Sequence, residues 1–276
     1  MKIDTVGIVG LGKMGSPIAQ HLAKTSLNVF GFDVMPNAVN KFQNTRVKLT
    51  SNCAELAAKC DLVIVSVGFD SEVEEVIFGA TGALVGVKQN TVLAIASTIS
   101  PQRMKEIEVQ ADTSLVKFLD IPLCRGEQAA ADGDLLILGG GEKKIFDACT
   151  PVFKNFSSDL YYLGELGAGQ VGKMVNNLIL WTCISANTEG LLLAKALGVK
   201  EEVLRDALLS SSAHNWAMEV QADKWEMPWA EKDMSIVLEE ADSARISLPL
   251  CGTVKEVIKG IKIGLGQGMP NKNTIF

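Results

Sequence analysis

Histidine is almost missing from this chain of 276 residues: only His21 and His214 occur. A histidine-rich metal centre is thereby nearly excluded, and imidazole-based acid–base chemistry has few candidates. His21 falls on a helix-like stretch and reads as structural. The six cysteines (Cys53, Cys60, Cys124, Cys149, Cys183 and Cys251) form no C-x-x-C pair. Metal-ligand spacing is absent, and Met1-Lys2-Ile3-Asp4 runs straight into an apolar strand with no secretory leader. The cysteines therefore read as small core residues in a reducing cytoplasm, and no metal is expected. Positive charge is short as well. Against 32 acids there are 26 lysines and arginines, a net charge of −6 and the wrong sign for a nucleic-acid partner. No apolar run is clean enough for a bilayer, since the most apolar stretch, Leu178–Leu197, carries Asn187, Glu189 and Lys195. What remains is 47% hydrophobic and 21% charged, long enough for two ordinary domains with separate cores.

The most informative stretch is Val6–Gly15, an apolar run that opens into Gly10-x-Gly12-x-x-Gly15 and is followed by a helix-like segment, Pro17–Lys24. A strand–tight turn–helix unit leaves backbone N–H groups at a helix N-terminus, where the helix dipole favours an anion. Gly10 allows the turn, Gly12 lets a pyrophosphate approach, Gly15 lets helix and strand pack, and Leu11, Lys13 and Met14 complete the loop. A second strand, Asn28–Phe32, ends in Asp33, placed to read the ribose hydroxyls of a dinucleotide. A carboxylate there repels a 2′-phosphate, and Val34, Met35 and Pro36 offer no cation, so NAD is the expected cofactor.

Strand-like runs recur at Leu62–Val67, Thr91–Ile95, Lys117–Leu119 leading to Asp120, and Leu135–Leu138. Helix-like segments separate them at Cys53–Lys59, Glu72–Phe78 and Pro101–Gln110. The alternation predicts an α/β fold with a mostly parallel, doubly wound sheet of the Rossmann type. Gly139-Gly140-Gly141 reads as a tight turn before a helix over Lys143–Phe153. After Leu163 strand signals fade, and helical patterns cover roughly 168–197, 201–210, 213–224, 231–245 and 249–264, the first of them stopped by Gly198. The expected division is residues 1–163 for an NAD-binding domain and 164–276 for an all-α domain.

Gly167–Lys173, GAGQVGK, also fits a nucleotide-triphosphate loop, but Met174 stands where that loop needs a magnesium-binding hydroxyl. On a helix, Lys173 and Asn177 share a face as i and i+4, where ammonium and amide could hold a hydroxyl or carbonyl. A solvated lysine beside a capping asparagine is the plainer alternative.

Gly10-x-Gly12-x-Met14-Gly15, Ser97-Thr98-Ile99-Ser100-Pro101, Asp120-Ile121-Pro122, Gly167-x-Gly169-x-x-x-Lys173-x-x-x-Asn177 and Lys232-Asp233 occur in that order. Together they resemble the β-hydroxyacid dehydrogenases, a family that includes 3-hydroxyisobutyrate dehydrogenase and tartronate semialdehyde reductase. The resemblance implies a Rossmann domain, a helical domain behind a long connecting helix, and an interdomain active site acting on a small anionic substrate. It implies Lys173 as proton carrier, Asn177 and Asn176 as substrate holders, and Val67, Gly68, Thr98 and Lys232 near the nicotinamide.

Two departures bear on substrate. Family members carry Asp-x-Pro-Val-Ser-Gly-Gly where this chain has Asp120-Ile121-Pro122-Leu123-Cys124-Arg125-Gly126. Cys124, Arg125 and Gly126 thus occupy the substrate-binding positions. Cys124 is a poor hydrogen-bond donor, whereas Arg125 carries a cationic fork suited to carboxylate, sulfonate or phosphate. An arginine here resembles the sulfolactaldehyde reductase branch. Arg125 either grips a substrate anion, or turns to solvent or pairs with Glu127. The chain also stops soon after Gly264-x-Gly266, where relatives often add a short helix, so subunit contacts or a lid could differ. The apolar helix around Trp181 points to burial against another subunit or domain, and a homo-oligomer, dimer or tetramer, is expected. A dinucleotide-binding sensor or scaffold without catalysis is the rival from another class.

Overall fold

The computed structural model describes residues 1–111, 115–220 and 227–268, and among them nine strands form one sheet. They are β1 (Thr5–Val9), β2 (Asn28–Phe32), β3 (Lys48–Leu49), β4 (Leu62–Val65), β5 (Thr91–Ile95), β6 (Val116–Asp120), β7 (Leu123–Cys124), β8 (Leu135–Gly141) and β9 (Ser157–Gly164). Helices α1 (Gly15–Ala23), α2 (Pro36–Asn40), α3 (Cys53–Ala57), α4 (Asp70–Phe78), α5 (Ala83–Gly86), α6 (Pro101–Gln110), α7 (Gly126–Asp132) and α8 (Lys143–Phe153) lie between them in sequence. The later elements are all helices: α9 (Ala168–Ala196), α10 (Glu201–Leu209), α11 (Trp216–Glu219), α12 (Ala230–Ser243) and α13 (Pro249–Gly264). The expected helix over 213–224 is four residues long where described, and residues 221–224 lie outside the described chain.

Strand order is β3-β2-β1-β4-β5-β6-β8-β7, with β9 on β8. The pairs from β3 through β6 are parallel, and β8 enters antiparallel to both β6 and β7. Every residue of β4 and β5 is buried, as expected of parallel strands covered on both faces. Their alternate residues feed opposite cores: Leu62, Ile64, Val92 and Ala94 pack with Ile18, Leu22 and Phe153, while Val63, Val65, Leu93 and Ile95 pack with Leu56, Ile77 and Met104. The chain lays β2 and β3 on one side of β1 and then crosses to β4 on the other. That reversal creates a crevice at the carboxyl ends of β1 and β4.

Gly139-Gly140-Gly141 is a correction. These residues do not turn but continue β8, with Gly140 opposite Asp120 and Gly141 opposite Leu119. A Cβ on Gly139 would strike the Phe146 ring, and one on Gly140 the Asp120 carboxylate. The glycines thus serve close packing and not a bend. Two-residue β3 and β7 and the half-exposed edge β9 left too little apolar alternation to be read.

All six cysteines are free thiols, and five are buried, with Cys183 only partly so. Burial pushes the Cys60 and Cys149 thiols up to about 12 and, with Glu75, the Cys53 thiol up to about 11. His21 lies against the Ala131 carbonyl at 2.9 Å, a structural contact.

The chain forms two compact units that divide within α9, Met1–Lys173 and Met174 onward. The second unit has its own core, in which Trp181 packs with Met227, Met234, Val237, Cys251 and Ile258. Trp181 is therefore covered by residues of its own unit, while Ile179, Leu192 and Leu193 on the same helix stay exposed. Lys262 on α13 pairs with Glu231 on α12 at 2.6 Å, both buried. Among the described residues no helix is long and apolar enough to cross a membrane.

The first turn of α9 is held by Asp120, which is fully buried at the end of β6. Its Oδ1 accepts the Gly167 N–H at 2.9 Å and its Oδ2 the Gln170 N–H at 2.8 Å. Burial pushes this carboxyl up, and the backbone N–H groups around it pull the other way. Asp120→Asn leaves one oxygen and turns an NH2 toward a backbone N–H. It is expected to lower the unfolding free energy by about 1–3 kcal/mol in urea denaturation, and an unchanged midpoint would show the cap to be dispensable.

Candidate active site

At the carboxyl end of β1 the three glycines have different reasons. Gly10 has φ +92°, and a Cβ there would strike the Ser66 carbonyl. A Cβ on Gly15 would strike the Gly10 carbonyl oxygen. A Cβ on Gly12, by contrast, would meet nothing within 4 Å. Folding therefore demands Gly10 and Gly15, while Gly12 keeps clear a space that the protein itself leaves open. Helix α1 begins just beyond that space with no side-chain cap on its first turn, its Ser16 N–H bonding the Gly12 carbonyl at 3.0 Å, and the positive end of its dipole favours an anion there.

Asp33 closes the same turn from β2. Its Oδ2 accepts the Leu11 N–H at 2.6 Å and its Oδ1 the Met35 N–H at 2.7 Å. Each carboxylate oxygen keeps a lone pair for a further donor, as ribose hydroxyls require. Lys13 pairs with Glu127 at 3.1 Å, and Met14 packs on the core. Turn, open space and carboxylate fit a dinucleotide.

Neighbouring strands bring the next residues to this edge. Val67 and Gly68 follow β4, the Val67 N–H bonding Ser97 Oγ at 2.9 Å and the Gly68 N–H bonding Glu72 Oε2 at 2.9 Å. Thr98 follows β5 and is half-buried. After β6 come Cys124, Arg125 and Gly126, and here Lys173 Nζ donates to the Leu123 carbonyl at 2.6 Å. Cys124 is buried, which pushes its thiol up against the opposing pull of Lys173 and Arg125.

Arg125 does not reach Glu127, which pairs with Lys13 instead. Arg125 sits at φ +84°, followed by Gly126 at +77°, and its side chain runs to β9. Nη2 meets Asp159 Oδ2 at 2.7 Å, and Nη1 meets Ser158 Oγ at 2.7 Å and the Asp134 carbonyl at 3.1 Å. Hydrogen bonds from Arg125 and Ser158 hold the Asp159 carboxyl below its usual range.

In the second unit Asn177 is buried. Its Nδ2 donates to Asp233 Oδ2 at 2.8 Å, and its Oδ1 accepts from Asn176 Nδ2 at 2.9 Å. Lys232 lies 5.8 Å from the centre of the Trp229 ring. Sequence reasoning missed the roles of Asp233, Ser97 and Gln170. All three lie within recognised motifs, but nothing in their spacing says what their side chains hold. Among the described residues no cluster of His, Cys, Asp or Glu is placed to hold a metal ion.

Residues 5–164 match the family described as the NAD binding domain of 6-phosphogluconate dehydrogenase. Residues 167–274 match that described as the NAD-binding domain of NADP-dependent 3-hydroxyisobutyrate dehydrogenase. The chain belongs to the β-hydroxyacid dehydrogenase family. As a member it is an NAD-binding dehydrogenase. It is similar to 2-(hydroxymethyl)glutarate dehydrogenase of Eubacterium barkeri, 29% identical over 95% of this chain and 91% of that one. It is also similar to human mitochondrial 3-hydroxyisobutyrate dehydrogenase, 32% identical over 77% of this chain and 63% of that one. The crystal structure of a 3-hydroxyisobutyrate dehydrogenase from Salmonella typhimurium superposes with a TM-score of 0.82 at 25% identity, covering 94% of this dehydrogenase and 95% of that one.

Two outcomes follow from this geometry. Gly12→Ala is expected to fold with an unchanged thermal midpoint yet lose at least about tenfold in NADH affinity, read by fluorescence titration, because only the ligand contests that space. Asp159 contributes stability above its unfolded pKa of about 4, and loses it as pH falls through its lower folded value. Asp159→Asn should therefore lower the thermal midpoint at pH 7, with the gap to wild type closing below about pH 4; a gap independent of pH would assign the effect to packing.

Proposed function

We propose that this dehydrogenase interconverts a short anionic β-hydroxyacid and its semialdehyde with NAD, in the manner of 3-hydroxyisobutyrate dehydrogenase, and that Lys173 carries the proton. The observation behind this reading is the Lys173 ammonium held 2.6 Å from the Leu123 carbonyl, beside the segment that resembles the family's substrate motif. The bound cofactor supplies hydride transfer at its nicotinamide. As the neutral amine Lys173 Nζ takes the hydroxyl proton during oxidation and becomes the ammonium, and as the ammonium it returns that proton to the carbonyl oxygen during reduction. Asn177, backed by Asp233, and Asn176 orient the substrate. Gly10 to Gly15 receive the pyrophosphate, while Val67, Gly68, Thr98 and Lys232 face the nicotinamide end. Asp33 and the cation-free Val34-Met35-Pro36 favour NAD over NADP. Residues 1–163 act as the NAD-binding domain and 164–276 as the substrate and oligomerisation domain.

The substrate anion falls to Cys124, Arg125 and Gly126, chiefly through the backbone, since the Arg125 guanidinium is already engaged by Asp159, Ser158 and Asp134. That engagement speaks against a sulfonate clamp. A homo-oligomer is supported by Ile179, Leu192, Leu193 and Leu197 on and just after α9, apolar side chains 59%, 61%, 61% and 73% exposed. Light scattering showing only monomer would sink it.

The deciving assay is NADH consumption against methylmalonate semialdehyde, tartronate semialdehyde and sulfolactaldehyde, with wild type, Lys173→Ala and Arg125→Gly in parallel. Turnover of a carboxylate aldehyde is expected. In Lys173→Ala, kcat should fall by about 10²–10⁴-fold with NADH binding retained. Full activity in Lys173→Ala would remove the proton carrier, and a sulfonate preference lost in Arg125→Gly would restore the clamp.

A further inference from the structure

Gln170 sits one turn before Lys173 on α9 and is completely buried, though it carries an amide. Burying an amide is unfavourable unless both of its ends are satisfied. Here Oε1 accepts the Ile99 N–H at 3.2 Å and Nε2 donates to the Ser97 carbonyl at 2.8 Å. The two partners flank Thr98, so one side chain grips the loop after β5 on either side of that residue. Ser97 passes the connection on, its buried hydroxyl accepting the Val67 N–H at 2.9 Å from the loop after β4. On the helix side the Gln170 N–H is held by Asp120 at 2.8 Å. A continuous hydrogen-bonded relay thus joins Val67, Ser97, the peptides around Thr98, Gln170 and the turn that carries Lys173.

We propose that Gln170 is a positioning residue, which locks the loops bearing Val67 and Thr98 to the helical turn bearing Lys173 and so sets the spacing between the nicotinamide end of the cofactor and the proton carrier. The inference rests on the roles proposed above for Lys173 and Thr98. An apolar side chain of equal length would fill the same volume but leave the buried Ile99 N–H and the Ser97 carbonyl without this partner, a cost to the loop's stability as well. What the amide adds is a fixed register between strand exit and helix. An error of about 1 Å in such a register costs about a hundredfold in rate.

Gln170→Met keeps the volume and removes both hydrogen bonds. Its kcat is expected to fall by about 10–100-fold while NADH affinity stays within about threefold of wild type. The isotope effect with deuterated NADH should rise as hydride transfer becomes rate-limiting. A partly unfolded enzyme would lose kcat without changing that isotope effect, so an unchanged isotope effect, or an unchanged kcat, overturns the proposal.

A second measurement does not depend on turnover. In wild type, NADH binding should slow hydrogen exchange in the turn Gly169–Lys173 through the relay, and in Gln170→Met that linked protection should vanish. Protection retained in the variant overturns the proposal. If Gln170→Met does not fold, Ser97→Ala carries both measurements, since it cuts the link between the Val67 N–H and the relay and places no charge in the core. A wild type that turns over no hydroxyacid would sink the Lys173 reading, and the exchange experiment would still judge the relay by itself.

Discussion

One buried carboxylate decides where the longest helix of this protein begins. Asp120 ends β6 with no exposed surface, and a charge so placed is costly unless donors surround it. The start of α9 supplies them, because the first N–H groups of a helix have no partner within it and carry the positive end of its dipole. Each group solves the other's problem. The same contact explains two glycines distant in sequence, since a Cβ on Gly140 or on Gly169 would collide with the Asp120 carboxylate. It also sets the height of Lys173, one turn along the helix, against the Leu123 carbonyl.

The cofactor turn shows a division of labour that the motif alone conceals. Gly10 and Gly15 are required by contacts inside the protein, with the Ser66 carbonyl and with each other. Gly12 is required by no such contact, and this is what separates a binding loop from an ordinary tight turn. Asp33 both ties the loop to β2 and keeps acceptor capacity on each oxygen.

At the substrate motif, one arginine shows how a side chain's apparent chemistry depends on its surroundings. Arg125 has the charge and shape to grip an anion, but Asp159 and Ser158 on β9 already engage it. Its left-handed backbone, where the family has glycine, indicates a position held by those partners against local preference. Arg125 thus ties the segment after β7 to β9.

What this sequence determined by itself is whatever depends on near neighbours in the chain. The helices over Pro101–Gln110, Lys143–Phe153 and 249–264 and the strand Thr91–Ile95 have the predicted bounds, because apolar period and capping residues are local. The strand–turn–helix unit around Gly10–Gly15, the place of Asp33 after β2 and the i, i+4 spacing of Lys173 and Asn177 on α9 are local in the same way. Tertiary structure alone decided that Gly139–Gly141 is strand and not turn, that Trp181 is covered within its own unit, that β9 joins β8, and that Arg125 turns to Asp159. Those outcomes depend on partners brought close by folding and far apart in the chain, such as Asp120 facing Gly140 across the sheet. Periodicity reports which face of an element is buried; it carries no record of which distant group waits there.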